Sequence, residues 1–360
     1  MHLIEETDQT YSVKGTEWHK KANHVQAIDE STIAPIISTP IIEKQMFVAD
    51  FDESGAVVPG SLNHMSGYKA VCADLTARTD LPEYLRQLRP LHVPKESYRI
   101  ISNAEIWECV KNSLKDVDGA KIITAGTLGN CTKFYLSVEF DGESEFKTDK
   151  GDKFQSILNF LSSHDGTLTF TTLDSMTRTV CFNTFSYNAA YEGSAFKASI
   201  PHTKNAGIQI QNLSEYLNAV FTGRRKIIES MSYLETLTMQ SPGQSAYVAS
   251  SFFTDKEADE MSTTAYNRAN AIRDLSVFGR GNLGKTRADM FNGFTEFYTH
   301  GDGAGGKKAD SARRWSAGIF GTAATHKENF LGVLLDENEF SFHLQRGEKL
   351  YSDKHQAMMA

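Results

Sequence analysis

Between Ser162 and Thr184 the chain reads SSHDGTLTFTTLDSMTRTVCFNT. After the polar turn Ser162-Ser163-His164-Asp165-Gly166, Thr alternates with Leu and Phe as far as Thr171. A second alternating run, Arg178 to Phe182, ends on Asn183-Thr184. A period of two with one apolar face is the mark of a half-buried strand, and such strands must find a sheet. On this reading two strand ends bring His164, Asp165, Arg178 and Asn183 to one edge of that sheet. The same period recurs upstream. In Lys133 to Phe140 the residues Phe134, Leu136, Val138 and Phe140 share a face, and the turn Leu128-Gly129-Asn130 joins this run to Ala120–Thr127 as an antiparallel hairpin. Further strands are expected at 45–51, 68–75, 98–102 and 154–161, with 52–66 as a Gly-, Ser- and Pro-rich loop.

Two helices interrupt these strands, a short one at 28–37 limited by Pro35 and one at 104–114 capped by Asn103. Past Thr184 the apolar spacing becomes helical: a capping box at Asn212–Glu215, a helix starting at Thr254, another capped by Thr286 and running to His300. Short helices at 313–320 and 327–335 precede a polar tail. The expected fold is α+β, with an antiparallel sheet in the N-terminal half and a largely helical C-terminal half packed on it. Residues 1–210 form the sheet region, 211–360 the helical one, and the two are expected to make one continuous unit.

Composition narrows the function classes. With 40% hydrophobic and 23% charged residues among 360, the chain has the makeup of a folded globular protein. A net charge of -8 excludes a basic coat over the whole surface and leaves room for a local basic groove. The four cysteines, Cys72, Cys109, Cys131 and Cys181, have no CxxC or Cys-His spacing and read as reduced structural thiols. No apolar run approaches the roughly 20 residues of a membrane helix, and the N-terminus has no signal-peptide core. A cytoplasmic protein is expected.

The loudest motif is Gly279-Arg280-Gly281-Asn282-Leu283-Gly284-Lys285-Thr286, which fits the phosphate-loop pattern GxxxxGK[ST] letter for letter. A phosphate loop needs a buried strand leading in, and here residues 270–275 read as helix. The favoured reading is a turn capping the next helix, with nucleotide binding left open. On that helix Asp289, Asn292, Glu296 and His300 lie on one polar face, either solvated or a divalent-metal stripe. Three basic groups stand out: Arg86, Arg89, Lys95 and Arg99; Arg224, Arg225 and Lys226; and Lys285, Arg287, Lys307, Lys308, Arg313 and Arg314. Tyr98, Trp107, Tyr135 and Trp315 lie near them, and cations with aromatic platforms suit single-stranded nucleic acid.

Several of these stretches together resemble a family, the phage- and plasmid-encoded "phage/plasmid-like" proteins built on the domain of unknown function numbered 932. The resemblance is carried by Tyr98–Asn103, Ala125–Leu128, Ser163–Thr167, Arg178–Thr184, Pro201-His202-Thr203, Gly279–Asn282, Phe291–Tyr298 and Ser316–Gly321. It departs at Lys285-Thr286-Arg287, where members show a Trp and small residues. The resemblance implies carriage on a mobile element and no settled activity. The expected function is single-stranded DNA binding or annealing, non-enzymatic and without a cofactor or metal, in a possible homo-oligomer away from membranes. Arg99, Arg178, Lys307, Lys308, Arg313 and Arg314 are its cations, Trp315 a stacking platform, and His164, Asp165 and Asn183 a brace. The alternative is a metal-assisted hydrolase of phosphodiesters or nucleotides using His164, Asp165, His202 and Glu296.

Overall fold

The structure, a computed structural model, describes residues 6–13, 22–115, 117–141, 145–178, 183–186, 197–203, 205–206, 226–299 and 322–359. The chain divides into two compact units. The first comprises Met1–Asp141, Leu158–Thr172 and Ala198–Asn218; the second comprises Gly142–Ile157, Leu173–Lys197 and Ala219–Ala360. Strands fill the N-terminal half and helices dominate the C-terminal half, so the fold is α+β.

In chain order the N-terminal elements are β1 (Thr10–Ser12), β2 (Asn23–His24), α1 (Glu30–Ile37), β3 (Ile41–Val48), β4 (Asn63–Asp74), β5 (Leu88–His92) and α2 (Asn103–Leu114). They are followed by β6 (Ala120–Leu128), β7 (Lys133–Phe140), β8 (Glu145–Lys147), β9 (Lys153–Ser163), β10 (Phe170–Arg178), β11 (Asn183–Ser186) and β12 (Lys197–Ile200). The larger sheet runs β11-β10-β9-β7-β6-β1-β2, with β12 on β10 and β8 on β9; a smaller sheet runs β3-β4-β5. The expected hairpin is present as β6–β7, pairing Ala125 with Leu136 and Leu128 with Lys133. Its second strand is buried on both faces: Tyr135 and Ser137 are as enclosed as Phe134 and Leu136. That double burial makes this strand the centre of the first unit.

Helices of the second unit are α3 (226–236), α4 (Gly243–Phe253), α5 (Thr263–Phe278), α6 (Arg287–Thr299), α7 (Thr322–Leu335) and α8 (Glu337–Met359). Phe294 on α6 stacks on Phe330 of α7 with ring centres 3.9 Å apart, inside a core that also holds Ile272, Phe291, Leu334 and Leu350. Gly293 lets α6 approach α5, since a Cβ there would sit 2.6 Å from the Ser276 amide nitrogen.

Several local expectations are corrected. Residues 98–102 form no strand; the Arg99 amide bonds instead to the His202 carbonyl, and the strands not foreseen include β1, β2, β8, β11, β12 and β5, an edge that tolerates Pro90. Ser102, not Asn103, caps α2, with Glu105 completing a capping box. Within 162–184, Ser162 and Ser163 end β9, Phe170–Arg178 form β10 and Asn183 opens β11, so His164 and Asp165 lie in the turn between β9 and β10; residues 179–182 of the expected second strand lie outside the described residues. Arg178 pairs in register with Asn183 in the β10–β11 hairpin. The helix placed at Thr254 begins at Thr263, with Ser262 as its cap, and α4 precedes it. The polar tail is the 23-residue α8, buried along Phe340, His343, Gly347 and Leu350.

Candidate functional site

The first unit places its chemistry-bearing side chains around the turn that leaves β9. Asp165 makes this turn: its Oδ1 accepts from the Thr167 amide at 3.0 Å and from the Thr167 hydroxyl at 2.5 Å. Ser163 closes it, accepting from the Leu168 amide at 2.8 Å. Gly166 sits at φ +74 against His92, whose Nε2 would lie 2.6 Å from an added Cβ. Only glycine meets both the left-handed backbone and that close approach.

The turn drives His164 into the interior, where it is fully buried. Its Nε2 lies 2.8 Å from Asn103 Oδ1, while Asn103 Nδ2 donates to the Ile36 carbonyl at 3.3 Å. The second bond fixes the amide so that its oxygen faces the ring; the His164 proton therefore sits on Nε2. Nδ1 is buried without a hydrogen-bond partner. Burial, reinforced by the neighbouring His202, pushes the His164 pKa down to about 3, so the ring is neutral. Asp165 behaves oppositely. Burial works to raise its pKa, but bonds from Lys133 at 2.6 Å and from Thr167 outweigh it and hold the carboxyl at about 2.

His202 stands nearer the surface. Its Nδ1 meets the Arg99 carbonyl at 3.0 Å, leaving Nε2 to accept from Ser162 Oγ at 3.4 Å. Burial lowers its pKa too, against the Arg99 carbonyl bond. Tyr98 stacks on this imidazole with ring centres 4.9 Å apart and planes 7° from parallel, and His92 meets Tyr98 edge-on at 5.9 Å. These three rings line a cleft of about 550 Å³, together with Pro94, Lys95, Ser97, Thr203 and Asn205. None of its described lining residues is acidic. Lys95 is exposed and has no ion-pair partner among the described residues. The cleft can therefore offer an anion one cation, several neutral donors and a set of ring edges.

Of the sequence candidates, the structure brings together His164, Asp165, His202 and Arg99, all in the first unit. Arg99 is engaged, pairing with Glu105 at 2.8 Å. Arg86, from the same basic group, is spent on the Leu81 and Thr79 carbonyls. Arg178, Asn183 and Glu296 belong to the second unit. There Glu296 lies beside Gly279, and no group of three His, Cys, Asp or Glu is disposed to hold a metal among the described residues of either unit. Lys307, Lys308, Arg313, Arg314 and Trp315 lie outside the described residues. Sequence reading missed His92, Pro94, Ser97 and Asn205 as lining residues, and nothing in their spacing singled them out.

The phosphate-loop look-alike is filled from within. Asp289 accepts from the amides of Leu283, Lys285 and Thr286, at 3.1, 2.9 and 3.0 Å. Its carboxylate occupies the position a phosphate would need, and the segment leading in is helix α5, not a strand. Arg287 is buried as well, donating to the Leu334 carbonyl and Glu337 with its guanidinium over Phe340.

The profile of one family, described as a domain of unknown function (DUF932), matches residues 90–319. The chain belongs to the DUF932 family. Every residue lining the cleft falls within the matched span, whereas β3 and β4 precede it. No curated protein and no solved structure matches this DUF932 chain.

Proposed function

We propose that this DUF932 protein is a non-enzymatic DNA-handling protein whose first unit takes a single strand in the His92–Tyr98–His202 cleft. The observation that carries the reading is the lining itself: Lys95, ring side chains and neutral donors, with neither an ion-pair partner for Lys95 nor a carboxylate to repel a phosphate among its described residues. A single strand needs cations for its backbone and flat or edge-on rings for its bases, and the described lining supplies one cation, Lys95, beside three rings. Carriage on a phage or plasmid, which the family resemblance implies, suits such a role. His164 and Asp165 act in this reading as a brace: one is neutral and enclosed, the other is held by Lys133, and neither faces the cleft lining. The metal-assisted hydrolase is the less favoured reading, since among the described residues no group of three His, Cys, Asp or Glu is disposed to hold its metal.

The test is anisotropy of a labelled single-stranded oligonucleotide titrated with the full chain, with Lys95→Glu, and with Lys307, Lys308, Arg313 and Arg314 replaced together by Ala. Lys95→Glu is expected to weaken binding at least ~10-fold at low salt, because it removes one phosphate contact and adds a like charge. Unchanged affinity in Lys95→Glu with a large loss in the quadruple variant would move the binding face out of the cleft. No binding by the wild type ends the proposal.

A further inference from the structure

The β3–β4 hairpin extends well past the small sheet it belongs to. Its base is anchored: Ile41, Val71 and Ala73 sit in a core with Leu75 and Leu81. Beyond Lys69 and Lys44 no residue of either strand is buried, and the ribbon continues through an isolated pairing of Phe51 with Val57. Two strands with both faces in water are marginal on their own. This ribbon nevertheless carries Phe47, Val48, Phe51, Val57, Leu62 and Tyr68 on the outside, with Phe51 66% and Leu62 59% exposed. Surface apolar residues scattered singly need no explanation, but a contiguous set on one projecting element marks an interaction site.

We propose that the β3–β4 arm is the interface through which two copies of this chain associate, packed arm against arm about a two-fold axis near Phe47. Two features point to a second copy as the occupant. Strand alternation puts Phe47 and Phe51 on one face of the ribbon, joined there by Val57 and Leu62 of the facing segment, so a second copy covers four exposed apolar side chains at once. The arm is also electrically polarised along its length, with Asp50, Asp52 and Glu53 at the tip and Lys44 and Lys69 at the base. Lys69 is partly neutralised by Glu43 at 2.5 Å, whereas Lys44 has no ion-pair partner among the described residues. Antiparallel apposition sets the acidic tip of each copy over Lys44 of the other, and a two-fold axis requires that kind of self-complementarity. Parallel apposition would place acid on acid.

The experiment is light scattering coupled to size-exclusion chromatography of the full chain, from about 1 to about 100 µM, a range that resolves dimers of micromolar affinity. The wild type is expected to be a dimer and Phe47→Asp with Leu62→Asp a monomer, with circular dichroism unchanged because both positions are exposed in the single chain, and with a thermal midpoint that no longer rises with protein concentration as the wild type's does. Lys44→Glu, which leaves the apolar surface in place, should weaken the dimer at least ~10-fold at low salt and recover as salt screens the tips. A monomeric wild type at the highest concentration overturns the proposal, and so does a dimer untouched by the paired Asp substitutions. If that monomer floats with phosphatidylserine vesicles, the arm serves a lipid surface instead. DNA binding is read separately, so loss of the dimer and loss of the cleft's activity are distinguishable.

Discussion

His164 gives the sharpest quantitative expectation. In the folded chain it is neutral, with its pKa pushed from 6.5 to about 3 by burial and by His202, while Asp165 pulls weakly the other way. In the unfolded chain it titrates near 6.5. A folded value below the unfolded one means that the stabilisation is complete above pH 6.5 and is lost as the pH falls toward the folded value. At pH 5 the loss is about 2 kcal/mol, one and a half pH units at 1.36 kcal/mol each. As long as the folded value stays below about 4, that figure depends only on the unfolded one. His202, also shifted down by burial, adds to the wild-type slope, so the comparison must be with a variant that lacks His164 alone. Urea unfolding of wild type and His164→Gln, followed at a series of pH values from about 7.5 to 5, measures the difference. The variant starts less stable, because Asn103 loses its partner, but should lose about 2 kcal/mol less than the wild type over that range. Equal losses in both proteins would mean that His164 takes up a proton in the fold, and would refute its role as a neutral brace.

Other expectations test neighbouring elements. Asp165→Asn should destabilise the chain by about 2 kcal/mol at pH 7; because the folded pKa is depressed, to about 2, the gap should close as the pH falls from 4 toward 2. Gly293→Ala forces a methyl group onto the Ser276 amide and should cost about 3 kcal/mol, seen as a lowered thermal midpoint; a neutral outcome would contradict the α5–α6 approach. Asp289→Ala removes the carboxylate that ties the Gly-rich turn together and should cost about 1–2 kcal/mol. Isothermal titration with ATP should detect no binding before or after that change.

The sequence disclosed the strand–helix division well, because strong alternation such as Lys133–Phe140 and strong caps such as Thr286 act locally. It disclosed α4 poorly. Its buried serines all find partners, Ser250 donating to the Ala246 carbonyl within the helix, Ser245 reaching Met239 Sδ and Ser251 meeting Arg346 and His343, so small polar residues line a buried face that reads as loop. The α8 stripe was hidden for a similar reason, since a His and a Gly stand at two of its four buried positions. At the site, His164, Asp165 and His202 stood out as polar residues at ends of apolar runs. Asn103 was read as a cap because its bond to His164 spans 61 residues, and a single sequence carries no signal of that pairing. The cleft's remaining lining comes from two distant segments, 92–98 and the residues His202, Thr203 and Asn205, that meet through the Arg99–His202 bonds and the Tyr98–His202 stack.

The salt slope of binding tests most directly the proposal that the chain holds single-stranded DNA by phosphate contacts. With a labelled oligonucleotide and the wild-type chain at about 50 and 200 mM salt, the log–log slope should be clearly negative, and Lys95→Ala should make it shallower by about 0.7, the loss of one phosphate contact on a single strand. Affinity that does not change with salt, or a slope identical in wild type and Lys95→Ala, would contradict the account.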